Sequence, residues 1–355
     1  MAKIAILSFY SGVVERGVET FAYEMARRLA KKHEVTILSA GKTTPFQKFR
    51  SRQIKAFAFP PKASLNIFNK FYLDWQSFKI LIFTLKSLPF IMRNKFKIIF
   101  PLNGGWQTVI FRLLSKFTHA KIIIAGHAGI GSHVAWDLLF RPDVFVALTL
   151  AEAKWAQKFV PEVKIVTISN GVDLARFNPK VKPKKIPLKK PIVICVSALE
   201  PSKRVDLTIR AVAKTKNLSL LVLGDGEMKG LIDSLGKRLL GKRYLRIVVP
   251  HEQIPAYYRA ASLFSLASTS ESFGVSYVEA MACNLPVVTT HDDSRAEIIG
   301  EAGILTNPAN IDQYTKDLTI AANTNYRNIP YNQSLRFSWN KIAEKYSDLI
   351  AETLS

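Results

Sequence analysis

The chain has 355 residues, 48% hydrophobic and 22% charged, a globular composition with room for two domains rather than a disordered or fibrous one. Its two cysteines, Cys195 and Cys283, both lie in apolar runs, which argues against a disulfide scaffold or a zinc cluster and fits a reduced, cytoplasmic interior. The net charge is +23, and residues 1–170 hold 25 basic against 9 acidic side chains, net +16, a bias that suits an anionic membrane face, a phosphorylated partner or nucleic acid.

A strand-like run at 3–8 starts almost at once, so no signal peptide is expected. Further strands are predicted at 35–39, 54–59, 97–100, 121–125, 144–148 and 164–168, with helical periodicity at about 17–32, 67–93, 106–117 and 151–159. The longest apolar stretch, 78–92, is broken by Lys79, Lys86 and Pro89, short of the roughly 18 residues of a membrane span. Residues 40–95 are rich in Lys, Phe and Pro, a mixture that fits a membrane interface or an ordinary amphipathic helix. Residues 171–190 read as a linker, since three prolines and five lysines crowd its end at 181–191. The pattern then restarts, with strands at 192–197, 218–223, 246–249, 263–266 and 286–289. Helices are predicted at about 205–216, 227–240, 255–261, 274–283 and 310–322, and a last amphipathic helix at about 337–353. Near-continuous apolar strands alternating with helices predict an α/β protein of two Rossmann-like domains, 1–170 and 191–335, with parallel sheets covered on both faces. Residues 336–355 form the terminal helix.

One residue breaks the pattern. Glu279 has Ser276, Val275, Ala282 and Cys283 as its helical neighbours, so its face is apolar or small. A carboxylate there is buried or points into a cleft, and it needs bonding partners. Glu271 precedes it by two helical turns. Ser272 is the expected N-cap, leaving the amides of Phe273, Gly274 and Val275 as free donors suited to a phosphate.

Glu271, Glu279 and the following Ala280-Met-Ala-x-x-x-Pro286-Val-Val together resemble the retaining nucleotide-sugar glycosyltransferases of family GT4, whose fold is GT-B. The resemblance implies two domains facing across a cleft and a terminal helix crossing back to the first domain. It implies that Glu279 binds the donor ribose, that Glu271 lies beside the donor sugar, and that Phe273, Gly274 and Val275 offer amides to sugar or phosphate. Ser197 through Asp206 resembles the family's diphosphate-binding segment, with Lys203 neutralising the phosphates. Ala198 stands where many members have an arginine, which leaves Arg204 as the second cation. Ser11 through Thr20 resembles the segment whose glycine approaches the donor; Arg16 replaces one glycine and Gly17 supplies the other. His127, just past a strand in Lys121–Gly129, occupies a place where the family often has a histidine near donor and acceptor. It joins Glu271 as a catalytic candidate. Ile168-Ser-Asn170-Gly-Val-Asp173 resembles the segment before the second domain.

Asp225, Glu227, Asp292 and Asp293 do not assemble a convincing metal site. The family generally works without one, so neither metal nor cofactor is expected beyond the nucleotide sugar as co-substrate. The expected activity moves a sugar from a UDP- or GDP-sugar to a hydroxyl of a glycan or lipid-linked acceptor, with retention. This would serve the synthesis of cell-envelope polysaccharide, lipopolysaccharide or glycolipid. The expected place is the cytoplasm, with an anionic membrane as a candidate partner. Alternatives are a sugar-nucleotide epimerase, a phosphorylase-type enzyme, or a basic nucleic-acid binder. The last predicts a steep salt dependence of binding, but no sequence motif calls for nucleic acid.

Overall fold

The computed structural model describes residues 1–13, 17–42, 49–56 and 72–355. They form two compact units, Met1–Asn170 with Trp339–Ser355, and Gly171–Ser338.

In the first unit the chain runs β1 (Lys3–Leu7), α1 (Gly17–Leu29), β2 (Glu34–Ser39), β3 (Arg50–Gln53), α2 (Trp75–Asn94), β4 (Ile98–Pro101), α3 (Trp106–Thr118), β5 (Lys121–Ala125), α4 (Ser132–Leu139), β6 (Val144–Ala147), α5 (Leu150–Phe159) and β7 (Lys164–Thr167). All described strands pair in parallel, in the order β3-β2-β1-β4-β5-β6-β7. Strands buried on both faces need apolar residues at every position, which is why β1, β4 and β6 read as continuous apolar runs. One face is covered by α1 and the C-terminal helix Trp339–Leu354, which pack together and place Phe21, Met25, Ile342 and Tyr346 over Ile4, Ile37 and Ile98. The other face carries Phe83 and Ile91 of α2, Phe111 of α3, Leu138 of α4 and Ala156 of α5.

The second unit runs β8 (Ile192–Val196), α6 (Val205–Ala213), β9 (Ser219–Leu223), α7 (Lys229–Leu240), β10 (Tyr244–Ile247), α8 (Ile254–Ala260), β11 (Leu263–Leu266), α9 (Val275–Ala282), β12 (Val287–Thr290), α10 (Asp293–Ile299), β13 (Gly303–Thr306), α11 (Ile311–Asn323) and α12 (Ile329–Ser334). Its sheet is parallel, in the order β10-β9-β8-β11-β12-β13. That order reverses direction between β8 and β11. Loops leaving these strands diverge to opposite faces and open a crevice at their carboxyl ends. In the first unit the same switch falls between β1 and β4.

The structure moves several predicted elements. The third strand is Arg50–Gln53 rather than 54–59, a polar strand at the edge of the sheet among the described residues, and residues 57–59 lie outside them. The second helix opens at Trp75 behind an Asp74 cap, and residues 67–71 of the predicted span also lie outside. Helices α4, α10 and α12 and strand β13 were not anticipated.

Candidate active site at the switch point of the second unit

The loop after β8 turns through Pro201–Lys203 as a short 3-10 helix, and the loop after β11 runs from Ala267 to Gly274. The two are fastened together. The Thr269 amide donates to the Ser202 carbonyl at 2.8 Å, and Arg204 Nε donates to the Ala267 carbonyl at 2.7 Å. Arg204 also reaches the Ser268 carbonyl (3.5 Å) and Thr290 Oγ1 (3.4 Å), bracing the ends of β11 and β12. This clamp brings Lys203 Nζ to 2.8 Å from Glu271 Oε1, an ion pair across the switch point with both side chains largely shielded. Cys195 lies buried beneath, and burial pushes its thiol up to about 12, so it is not a competing nucleophile.

The loop ends in a sharp turn. Gly274, not Ser272, is the N-cap, and α9 begins at Val275. Gly274 has φ +83°, a left-handed conformation, and a Cβ there would stand 2.3 Å from the Tyr277 ring. The predicted cap fails because this turn, rather than a serine side chain, starts the helix. Phe273 is buried against Phe337, ring centroids 5.6 Å apart, which fixes the backbone on the other side of the glycine. Of the three amides singled out from sequence, Val275 stands in the first helical turn, while those of Phe273 and Gly274 precede it.

Glu279 is buried, 6% exposed, as its apolar helix face requires. Its carboxylate is held on both oxygens: His251 Nε2 lies 3.0 Å from Oε1, and the Tyr258 hydroxyl donates to Oε2 at 3.4 Å. Burial and the Glu279 charge push the Tyr258 hydroxyl well above its ordinary value, so it remains a donor. His251 comes from the turn after β10 and rests near Phe177, ring centroids 5.7 Å apart. Beneath α9, Arg295 is fully buried; it donates to the Ser268 carbonyl (3.1 Å), Ser268 Oγ (3.0 Å) and the Tyr277 hydroxyl (3.3 Å), and pairs with Asp292. It fixes the loop that carries Glu271.

His251, Tyr258 and Arg295 were missed in the sequence. Tyr258 and His251 lie 21 and 28 residues from Glu279, and no local pattern joins them. Arg295 sits in Asp292-Asp-Ser-Arg-Ala-Glu297, which reads as a solvated helix start.

The first unit holds the other two candidates. Gly17 opens α1, and a Cβ there would meet nothing within 4 Å. Arg16 lies outside the described residues. His127 follows β5, its ring edge-on to Phe21 at 4.4 Å. Its Nε2 is shut off from solvent and has no hydrogen-bond partner among the described residues, and burial lowers its pKa to about 4. Nearby, Glu152 accepts from the Leu148 amide at 2.6 Å, and burial raises its carboxyl to about 8. Gly126 makes room for it, since a Cβ there would stand 2.2 Å from Glu152 Oε1. Among the described residues no group of three or more His, Cys, Asp or Glu could hold a metal ion.

Two doubly wound parallel sheets, with an ion pair and a gripped carboxylate at the switch point of the second, define an α/β architecture that binds ligands at strand ends. Two family models tile most of the chain: Glycosyltransferase Family 4 over residues 16–176 and Glycosyl transferases group 1 over 177–336. The chain belongs to this family and has the GT-B fold. It is similar to the GDP-mannose-dependent alpha-(1-6)-phosphatidylinositol monomannoside mannosyltransferase of Mycolicibacterium smegmatis, 24% identical over 46% of this chain and 48% of that one. It is also similar to D-inositol 3-phosphate glycosyltransferase 2 of Catenulispora acidiphila, 26% identical over 54% of this chain and 51% of that one. The chain thus spans about half the length of these curated relatives. Among solved structures, sucrose-phosphate synthase of Thermosynechococcus elongatus superimposes with a TM-score of 0.80 at 17% identity, covering 99% of both chains, a likeness of fold.

Proposed function

We propose that the protein is a retaining glycosyltransferase. It moves a sugar from a UDP- or GDP-sugar to a hydroxyl of a glycan or lipid-linked acceptor in the making of cell-envelope polysaccharide, lipopolysaccharide or glycolipid. It acts in the cytoplasm, at the inner face of the membrane where lipid-linked acceptors lie. The observation that carries this reading is the pairing of Lys203 with Glu271 beside the doubly held Glu279. A cation that already sits on a carboxylate is placed for an anionic ligand that displaces that carboxylate. The donor diphosphate takes Lys203, and Arg204 stands next to it. Glu271, released, turns to the sugar. Glu279 has a lone pair free on each oxygen and accepts the two vicinal hydroxyls of the ribose. Amides of Phe273, Gly274 and Val275 meet sugar or phosphate, and Gly17 allows close approach from the first unit.

In the reaction the bond between the anomeric carbon and the diphosphate oxygen breaks, and the acceptor oxygen bonds to the same face. The leaving oxygen gains negative charge, which Lys203 and the backbone amides stabilise, and it takes the acceptor proton. His127, neutral because its pKa is lowered to about 4, serves as a hydrogen-bonding group toward the sugar rather than as a cation. No metal takes part, so chelators should leave the rate unchanged.

The test is a calorimetric panel of UDP-, GDP- and ADP-sugars on the wild type and Glu279→Ala, followed by transfer assays with the product anomer read by NMR. Binding of one donor, lost in Glu279→Ala, and a product with the donor's anomeric configuration are expected. No binding of any donor, or binding indifferent to Glu279→Ala, sinks the reading.

A further inference from the structure

At the first unit's switch point the loop after β4 holds a cluster that the donor site does not use. Asn103 Oδ1 accepts from the Phe9 amide at 2.8 Å and so ties this loop to the one after β1. Gly104 and Gly105 follow with φ +59° and +56°, a left-handed pair that glycine adopts without strain. The pair lets two side chains close in. A Cβ on Gly104 would stand 2.6 Å from Asp137 Oδ2, and one on Gly105 2.5 Å from the Tyr72 ring. Trp106 Nε1 donates to the Tyr72 carbonyl at 2.9 Å and holds Tyr72 at φ +54°, a conformation that costs a bulky residue energy and persists where a site uses it. The Tyr72 hydroxyl lies 2.9 Å from Nδ1 of the exposed His133. The Trp136 ring packs against Tyr72 and Trp106, centroids 5.4 and 6.4 Å apart, and all three rings are only partly buried. Asp137 is buried beside them. Its Oδ1 accepts from the Gly105 amide (3.0 Å) and the Thr108 hydroxyl (2.7 Å), capping α3 from the neighbouring α4, while Oδ2 takes no hydrogen bond among the described residues.

We propose that this cluster seats a neutral sugar ring, so that the reacting acceptor hydroxyl belongs to a glycan unit and not to a phosphorylated compound. The proposal rests on the glycosyltransferase reading and names the class of its acceptor. Two properties select that class. The first is amphipathic shape: a sugar ring has a C–H face and a rim of hydroxyls. The C–H face is buried against Tyr72, Trp106 and Trp136, and a hydroxyl of the rim bonds to Asp137 Oδ2. Burial raises the Asp137 carboxyl to about 7, so near neutral pH it meets a hydroxyl either as acceptor or as donor. The second property is charge. The N-terminal end of α3 would attract an anion, but Asp137 already occupies it. The charges that act on Tyr72 are those of Asp137 and Asp74, both acids, and both push its hydroxyl up. Among the described residues no lysine or arginine bonds to Tyr72, His133, Trp136 or Asp137. A phosphate in this seat would face like charge and lose its water with no cation in return, whereas a hydroxyl needs none. The cations of the candidate active site, Lys203 and Arg204, belong to the second unit, where the donor diphosphate is read.

The test is saturation-transfer NMR on the full chain, irradiating aromatic protons. The probes are the methyl α-glycosides of glucose, galactose, mannose and N-acetylglucosamine, with glucose 6-phosphate and mannose 6-phosphate as charged counterparts. At least one neutral glycoside should bind in the millimolar range, with transfer strongest to the C–H protons of one ring face. The phosphorylated sugars should bind at least about tenfold more weakly. Trp136→Leu keeps an apolar side chain but removes the stacking surface. Asp137→Asn keeps an oxygen to cap α3, but its amide nitrogen cannot accept from a hydroxyl. Each should weaken glycoside binding by about tenfold. Unchanged thermal unfolding and donor binding show that the variants are folded. Should Trp136→Leu not fold, Asp137→Asn and the contrast between neutral and phosphorylated sugars on the wild type still decide. No binding of any neutral glycoside, phosphorylated sugars bound as tightly as neutral ones, or folded variants that bind as the wild type does overturns the proposal. Donor binding is read separately by calorimetry. Glycoside binding without donor binding sinks the glycosyltransferase reading, and donor binding without glycoside binding sinks only the sugar seat.

Discussion

The two units share a sheet topology around the switch point but treat charge at their strand ends in opposite ways. In the second unit the ionisable groups meet as partners: Lys203 with Glu271 at 2.8 Å, and Glu279 with His251 at 3.0 Å. In the first unit burial pushes them toward their neutral forms, His127 down to about 4, Asp137 up to about 7 and Glu152 up to about 8. On the proposed reading the second unit exchanges one anion for another at Lys203. At the interior edge of the first, burial holds these three groups toward their neutral forms. On the proposed reading the contrast is a division of labour in which one unit grips a nucleoside diphosphate and the other receives a hydroxyl acceptor.

The contrast is tested most severely at Lys203. Lys203→Ala should lower the transfer rate by about 10²–10³-fold, the usual cost of losing one donor to a developing oxyanion, with global stability nearly unchanged. A loss of stability without a loss of rate would make the ion pair a structural brace and remove the difference between the units.

The two candidate glycines give the next largest effect, in opposite directions. Gly274→Ala should cost about 2–3 kcal/mol in urea unfolding, because φ is +83° and the new Cβ would stand 2.3 Å from the Tyr277 ring. Gly17→Ala meets open space and should leave stability unchanged or raise it by about 0.5 kcal/mol. If Gly17 approaches the donor, Gly17→Ala raises the donor KM all the same. An unchanged KM would confine donor recognition to the second unit.

These residues also mark what was legible in the sequence. Two Rossmann-like sheets followed from apolar runs alternating with helical periodicity, because a strand buried on both faces admits little else. Strand β3 escaped because Arg50-Ser-Arg-Gln53 is a polar, largely exposed strand, and the apolar run beside it reads as the better strand. The burial of Glu279 was readable from its helical neighbours. Its holders were not, because hydrogen bonds from His251 and Tyr258 depend on how the turn after β10 and helix α8 lie against α9. Nor does a buried arginine announce itself when its neighbours are Asp292, Asp293 and Glu297.

Glu152 tests the first unit's side of the comparison through pH. Its carboxyl is raised by burial to about 8, whereas the unfolded chain ionises at the ordinary value. Between roughly pH 5 and 8 the folded state therefore holds a proton that the unfolded state has lost, and stability falls as pH rises; below and above that window the contribution is flat. His127 acts in the opposite sense lower down. With a folded pKa of about 4, it stays neutral while the unfolded imidazole protonates, so stability rises with pH between about 4 and 6.5. Glu152→Gln should remove the fall above pH 5, gaining up to about 4 kcal/mol relative to wild type at pH 8 in urea titrations. Parallel pH profiles for the two proteins would mean that Glu152 is ionised in the fold and that burial does not hold it neutral.

The smallest effect separates positioning from packing in the second unit. His251 touches Glu279, so on the proposed reading it aims the carboxylate rather than meeting the donor. One hydrogen bond to a charged group contributes about 1–2 kcal/mol. His251→Ala should therefore weaken donor binding by roughly tenfold while kcat at saturating donor is unchanged, because the chemistry at Lys203 and Glu271 is untouched. His251→Gln, whose amide reaches the place of Nε2 and can still donate to Oε1, should recover most of that affinity, whereas a purely packing role beside Phe177 would leave both variants equally impaired. Loss of kcat in His251→Ala would place the histidine in the reaction itself and make the second unit's second pair, like its first, part of the charge exchange.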